Sequence, residues 1–400
     1  MSRDDGAWIS GVGVASPYGS TIETLWLNAL RASPRISKVR SFDASSYRAS
    51  LAGEIDDFNV ADVPGMLRQR TDRSTQLSLI TAQRALDGAA VRYLDTDPLR
   101  RSVVTANAAG GYAFGEKELR NLYQKGPAYV STAQSYAWFY AVNTGQVSIR
   151  YGFKGRCSTV VADSAGGLDA IWEGARLLER GQDFVLAGAV ESFMSPLAWV
   201  SMESTGRLSE SADPEAAYLP FDSRAKGYVP AEGGAYFALT KSPPNTAEKE
   251  SIRILGHGKT MTINESGVDG IKRAMLQALD RAELRPSDID VVFADGAAVE
   301  HDDHDEATAI TDIFGARGVP VTVPKSGFGR AGAGMGPLDT ALAALTLKSR
   351  IIPATPSVVP STNLQLDCVT TRRRVPGLQT ALIVARGLPI FNSALVIGTR

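Results

Sequence analysis

From Ser158 to Arg180 the chain runs from an apolar, β-branched segment through a knot of small residues into a helical repeat. Ser158-Thr-Val-Val161 has the composition of a buried strand. Trp172-Glu-Gly-Ala-Arg-Leu-Leu178 has apolar residues at helical spacing and carries its bases late, near Arg180. Between them stands Ala162-Asp-Ser-Ala-Gly-Gly-Leu-Asp-Ala-Ile171. A strand that meets a helix through such small residues is a place where an enzyme presents a side chain at a helix N-terminus. Here that side chain is Ser164, and the free N–H groups of the turn can hold an oxyanion.

The flanking sequence repeats this alternation. Ala7-Trp-Ile-Ser-Gly-Val-Gly-Val14, Arg101-Ser-Val-Val-Thr-Ala106 and Asp183-Phe-Val-Leu-Ala-Gly-Ala-Val190 read as strands, and 72–91 has helical periodicity. Residues 33–66 read as an excursion from the core. A second series begins near Ile252, with strands at 252–256, 289–294, 319–323, 380–385 and 393–397. Its helices are expected at 268–282, 305–314 and from about Pro337. Two successive α/β series predict one compact body made of two halves, 1–250 and 251–400, with 245–251 as a surface loop.

The 400 residues can bury a large core, and 42 Lys+Arg against 43 Asp+Glu leave no field that calls for nucleic acid or a membrane surface. The N-terminal Met-Ser-Arg-Asp-Asp-Gly lacks the features of a signal peptide, and no apolar run approaches a membrane span. Cys157 and Cys368 form no disulfide or metal pattern, which suits a reducing cytoplasm; Cys157 is expected to be a buried small hydrophobe. The carboxylates of His301-Asp-Asp-His304-Asp-Glu306 are read as exposed residues near a helix start rather than as a metal site.

The 162–171 turn resembles that of β-ketoacyl synthases, in which a cysteine takes the place of Ser164. Ile9-Ser-Gly-Val-Gly-Val-Ala-Ser-Pro-Tyr-Gly19 and Leu219-Pro-Phe-Asp-Ser-Arg-Ala-Lys-Gly-Tyr-Val-Pro-Ala-Glu-Gly-Gly234 are similar to two further stretches of that family. The resemblance implies a thiolase-like five-layered α-β-α-β-α sandwich, normally dimeric. It also implies a mechanism built on a thiolate, an oxyanion hole and two imidazoles. The imidazole places hold Asp295, in Phe293-Ala-Asp-Gly-Ala297, and Arg330, in Lys325-Ser-Gly-Phe-Gly-Arg330. The family's Gly-Phe-Gly-Gly gate reads Gly387-Leu-Pro-Ile390. Arginine cannot shuttle a proton near neutrality, and an ordinary aspartate is already ionised. No catalytic residue is therefore expected, Ser164 is a small lining residue, and no cofactor or metal is implied. The resemblance implies a Glu306–Lys325 ion pair; an Asp295–Arg330 pair filling the vacated imidazole space is a further expectation.

Within the family this pattern is similar to the chain length factor, the ketosynthase β subunit of type II polyketide synthases. Gln134-Ser-Tyr-Ala-Trp-Phe-Tyr-Ala-Val-Asn-Thr-Gly145, Val321-Thr-Val-Pro-Lys325 and Gly334-Met-Gly-Pro-Leu-Asp339 carry that resemblance. Typical members have glutamine where Ser164 stands. The implied partners are a ketosynthase α subunit and an acyl carrier protein bearing malonyl units or the growing polyketide. The implied role is to complete the partner's tunnel and set product length. Tyr112, Gly115 and Leu119, at i, i+3 and i+7 on one helical face, would gate that tunnel. Tyr136, Trp138, Phe139 and Tyr140 would pack at the interface. Two other readings stay open. One is a condensing or malonyl-decarboxylating enzyme in its own right using Ser164; the other is a scaffold without influence on product length.

Overall fold

The computed structural model describes residues 6–244, 251–263, 266–388 and 390–399. The expected boundary at 250/251 and most of the loop assigned to 245–251 lie outside the described residues. So do the first five residues and Pro389.

Two sets of five strands carry the same connections. The first comprises β1 (Ala7–Ala15), β2 (Arg101–Ala106), β3 (Cys157–Val160), β4 (Phe184–Glu191) and β5 (Gly233–Thr240). The second comprises β6 (Ile252–Met261), β7 (Val291–Phe293), β8 (Pro320–Thr322), β9 (Thr380–Gly387) and β10 (Phe391–Thr399). Their spatial orders are β3-β2-β4-β5-β1 and β8-β7-β9-β10-β6. In each set the first strand lies antiparallel to the fifth and the fifth antiparallel to the fourth. The fourth then runs parallel to the second, and the second parallel to the third. The sets touch edge to edge only where Ala7 and Trp8 of β1 pair with Ile254 and Arg253 of β6.

Helices follow the strands: α1 (Arg73–Asp87), α2 (Tyr112–Lys125), α3 (Val142–Tyr151), α4 (Gly166–Glu179) and α5 (Pro196–Glu203) in the first half. In the second come α6 (Gly267–Ala282), α7 (Glu300–Phe314) and α8 (Met335–Ser349). The period-2 alternation of each strand sends neighbouring residues into different layers. Val103 and Leu186 face Leu77, Leu79, Ala82 and Val147 of α1 and α3. Their neighbours Val104, Val185 and Ala187 face Leu168, Ile171, Leu338 and Leu342 of α4 and α8. In the second sheet Ala381 and Ile383 join that same central cluster, whereas Leu382 and Val384 pack on Ile271, Met275 and Ile310 of α6 and α7. The result is the expected α-β-α-β-α sandwich. Helix α8 is buried almost from end to end because a central helix has no polar face to offer.

The segment 33–66 leaves the layered elements with an internal two-residue antiparallel pairing, Ser37–Lys38 with Leu51–Ala52, and is tied back where Gly53 bridges Ala231 and the Ile55 N–H donates to Glu232 at 2.8 Å. Two readings of the sequence are corrected. β3 is an edge strand of half-buried residues, and Cys157 on it is exposed rather than buried. A β-branched run has the same composition at a sheet edge as at its centre. The carboxylates of 301–306 do not lie in an exposed loop: α7 begins at Glu300, and Asp302, Asp303, Asp305 and Glu306 are buried.

Candidate functional site

Strand β3 leads into the turn, and Asp163 there adopts a left-handed backbone, φ 47°. Aspartate is among the few residues other than glycine that enter this region readily. The next residue, Ser164, is buried and faces a cavity of about 570 Å³ at the N-terminus of α4. Tyr112, Arg207, Asp295, Arg330 and Arg386 also line it. The turn is pressed tightly against the segment before α8: a Cβ on Gly167 would stand 2.1 Å from the Ala333 carbonyl oxygen.

Asp295 and Arg330 meet across this cavity as the sequence suggested. Arg330 donates from Nη2 to Asp295 Oδ1 at 2.9 Å and from Nη1 to Oδ2 at 3.0 Å. Its Nη1 also reaches the Asp295 carbonyl at 3.0 Å, and the guanidinium lies over the Tyr228 ring. Burial works against the charge of each partner. The charges of Arg330 and Lys325 nevertheless hold the Asp295 carboxyl below its ordinary range, and Asp295 holds Arg330 protonated. Asp295 and Arg330 thus form a fixed, bidentate ion pair that exchanges no proton near neutrality.

The expected Glu306–Lys325 pair does not form. Lys325 Nζ pairs with the Asp339 carboxylate at the start of α8 and donates to the Ala294 carbonyl at 2.8 Å. Glu306 instead accepts the N–H groups of Asp295 and Gly296 at 2.7 and 2.8 Å, fixing the loop that carries Asp295. Burial, helped by the charge of Asp295, raises Glu306 to about 6. Burial likewise raises Asp339 to about 6, against the pull of Lys325. Asp303 accepts the N–H groups of Phe221 and Ala298, at 2.6 and 3.0 Å. The acidic run of α7 therefore serves backbone donors.

Arg207, Arg386 and Glu191 carried no sequence signal. Asp302 pairs with Arg207 and lies 3.7 Å from Arg386, whose Nη1 donates to the Asp302 carbonyl. Glu191, at the end of β4, accepts the Ala108 N–H at 2.6 Å, and burial pushes its carboxyl up to about 8. His301 reaches the cavity rim, but it is 83% exposed and lies 3.6 Å from Asp305 rather than bonding to Ser164. Ser164 accordingly lacks the hydrogen-bonded base that a serine nucleophile requires.

The three residues assigned to gating share α2 but do not converge on one cavity within this chain. Tyr112 lines the inner cavity. Leu119 lines an outer groove with Tyr47, Leu197 and Val200. Gly115 is buried between them, and a Cβ there would lie 3.6 Å from Trp138 Cβ and 3.9 Å from Gln134 Nε2. The helix itself is anchored, since Asp72 accepts the Phe114 N–H and Glu118 accepts the Ser131 N–H. Beyond it Trp138 and Phe139 are each 50% exposed, with Tyr136 and Tyr140 beside them.

Comparison with known proteins adds relatives to this geometry. The β-ketoacyl synthase N-terminal domain matches residues 7–243, and the β-ketoacyl synthase C-terminal domain matches residues 247–359. The tetracenomycin polyketide synthase ketoacyl synthase beta subunit of Streptomyces glaucescens is 41% identical over 99% of both chains. The 3-oxoacyl-[acyl-carrier-protein] synthase 2 of Staphylococcus aureus is 29% identical over 99% of both. Among solved structures, the ishigamide ketosynthase/chain length factor superposes with a TM-score of 0.90 at 20% identity, over all of both chains.

Proposed function

The chain belongs to the β-ketoacyl synthase family, and from that premise we propose that it is a chain length factor, the non-catalytic β subunit of a type II polyketide synthase. The observation that carries the reading is the Asp295–Arg330 pair: it occupies the cavity at the head of α4 with charges that cannot serve a decarboxylative condensation. A relative named as a ketoacyl synthase beta subunit, 41% identical over 99% of both chains, supports the same reading. Its partner is a ketosynthase α subunit that supplies the thiol and both imidazoles, and an acyl carrier protein delivers malonyl units to the pair. The exposed aromatic run 136–140 and the open edge of β3 form the face that meets this partner. We place the division between the two halves at 250/251.

In this reading α2 borders a tunnel completed by the partner, and Tyr112, Gly115 and Leu119 bound its length. Leu119→Ala in the assembled pair shifts the product mass upward by one or more two-carbon units. Gly115→Leu pushes the chain at Trp138 and shifts it downward, with the pair still assembled on gel filtration. Mass spectrometry of the products checks both. An unchanged distribution in both variants removes the gating role and leaves a scaffold.

A further inference from the structure

A nucleophile at position 164 would attack a thioester carbonyl at the head of α4. The developing oxyanion would then need the N–H of residue 164 and a second donor across the turn. That second donor is at hand, because β9 ends against the turn: a Cβ on Gly387 would stand 2.5 Å from the Ala162 carbonyl and 3.0 Å from Asp163 Cβ. The next N–H, on Leu388, is already taken. It donates to Asp163 Oδ2 at 2.6 Å. Asp163 makes this contact from a left-handed backbone and is half-buried there.

We propose that Asp163 is the resident ligand of this chain's own oxyanion cradle: its carboxylate takes the Leu388 N–H, the donor across the turn from Ser164, and closes the turn to acyl transfer, whatever side chain stands at 164. Loss of the nucleophile and loss of the oxyanion site are then separate features of the molecule. This deepens the non-catalytic reading above and rests on it.

The test uses the co-purified pair carrying Ser164→Cys, which restores a thiol at the turn. Three versions are compared: Asp163 unchanged, Asp163→Asn and Asp163→Gly. Glycine takes the left-handed backbone without strain and empties the cradle. Asparagine tolerates that backbone and keeps an oxygen on the Leu388 N–H while removing the charge. Asp163→Ala empties the cradle too, and it replaces the glycine version if that pair fails to co-purify. The probe is a short saturated acyl thioester of N-acetylcysteamine, read as added mass on the intact subunit. In that reaction the thiolate sulfur bonds to the carbonyl carbon, the thioester C–S bond breaks, and the leaving thiolate takes a proton from water. Iodoacetamide, which needs no oxyanion site, measures the reactivity of each thiol separately. After division by the iodoacetamide rate, the aspartate and asparagine versions acylate slowly and the glycine version roughly 10²-fold faster, the scale of an oxyanion donor. Equal normalised rates with aspartate and glycine overturn the proposal. So does an asparagine version as fast as glycine, which would assign the effect to charge rather than occupancy. Failure of the non-catalytic reading would look different, as acylation of Ser164 in the unaltered chain.

Discussion

Arg330→Ala is expected to destabilise the folded chain by about 3–5 kcal/mol, because it strands Asp295 as a buried charge. The two partners are 7% and 5% exposed, so Asp295 is left largely desolvated without its guanidinium. Only the Arg386 N–H, at 3.1 Å, would remain on Asp295 Oδ1 beside the Glu306-braced loop. Asp295→Asn/Arg330→Met recovers most of the loss, since an apolar side chain over Tyr228 and a neutral amide need no counter-charge. Thermal midpoints at a fixed scan rate give the ordering: native and double variant high, single variant low. The pH dependence has a definite sign. The folded-state value of Asp295 is depressed, so its contribution is present in full above the unfolded value near pH 4. That contribution is lost as the pH falls through the folded value. In Arg330→Ala the unpaired carboxyl prefers its proton, so the deficit is largest near neutrality and narrows on acidification. A single variant as stable as the native chain at pH 7 contradicts the account of this pair.

Phe139→Asp is expected to break assembly with the partner while leaving this chain folded. Phe139 is half exposed in the single chain, and among the described residues its ring pairs with those of Trp138 and Tyr140, at ring-centroid distances of 6.0 and 6.5 Å. Its replacement therefore removes little from the core, and circular dichroism should be unchanged. At an interface the same change buries an unpaired carboxylate in place of an aromatic anchor. Such a loss is worth about 3 kcal/mol, or roughly a hundredfold in dissociation constant. Sedimentation of the mixed subunits reads this directly. Unaltered affinity would move the interface away from 136–140.

The layered fold was legible because alternation and helical spacing survive in almost every element. Two substitutions at separate places, Asp295 and Arg330, were enough to suggest a pair that the geometry bears out. The partner of Lys325 was not legible. Asp339 stands fourteen residues away on a helix whose first turn reaches the site only after the Gly332–Gly334 turn folds under it. Similarly, a run of carboxylates reads as solvated until the folded loops bring their N–H groups to Asp303 and Glu306. Cys157 and β3 were misjudged because strand composition reports apolarity, and the edge of one subunit can be as apolar as its centre. Asp163 stood in the most informative segment yet gave no signal, since its role depends on a contact with Leu388, 225 residues away.

The most direct measurement is malonyl consumption and product mass, with acyl carrier protein, for this chain alone and for the chain co-expressed with a ketosynthase α subunit. The account predicts no turnover by the isolated chain and polyketide formation by the pair. Turnover by the isolated chain, lost on Ser164→Ala, would contradict it and make Ser164 a catalyst.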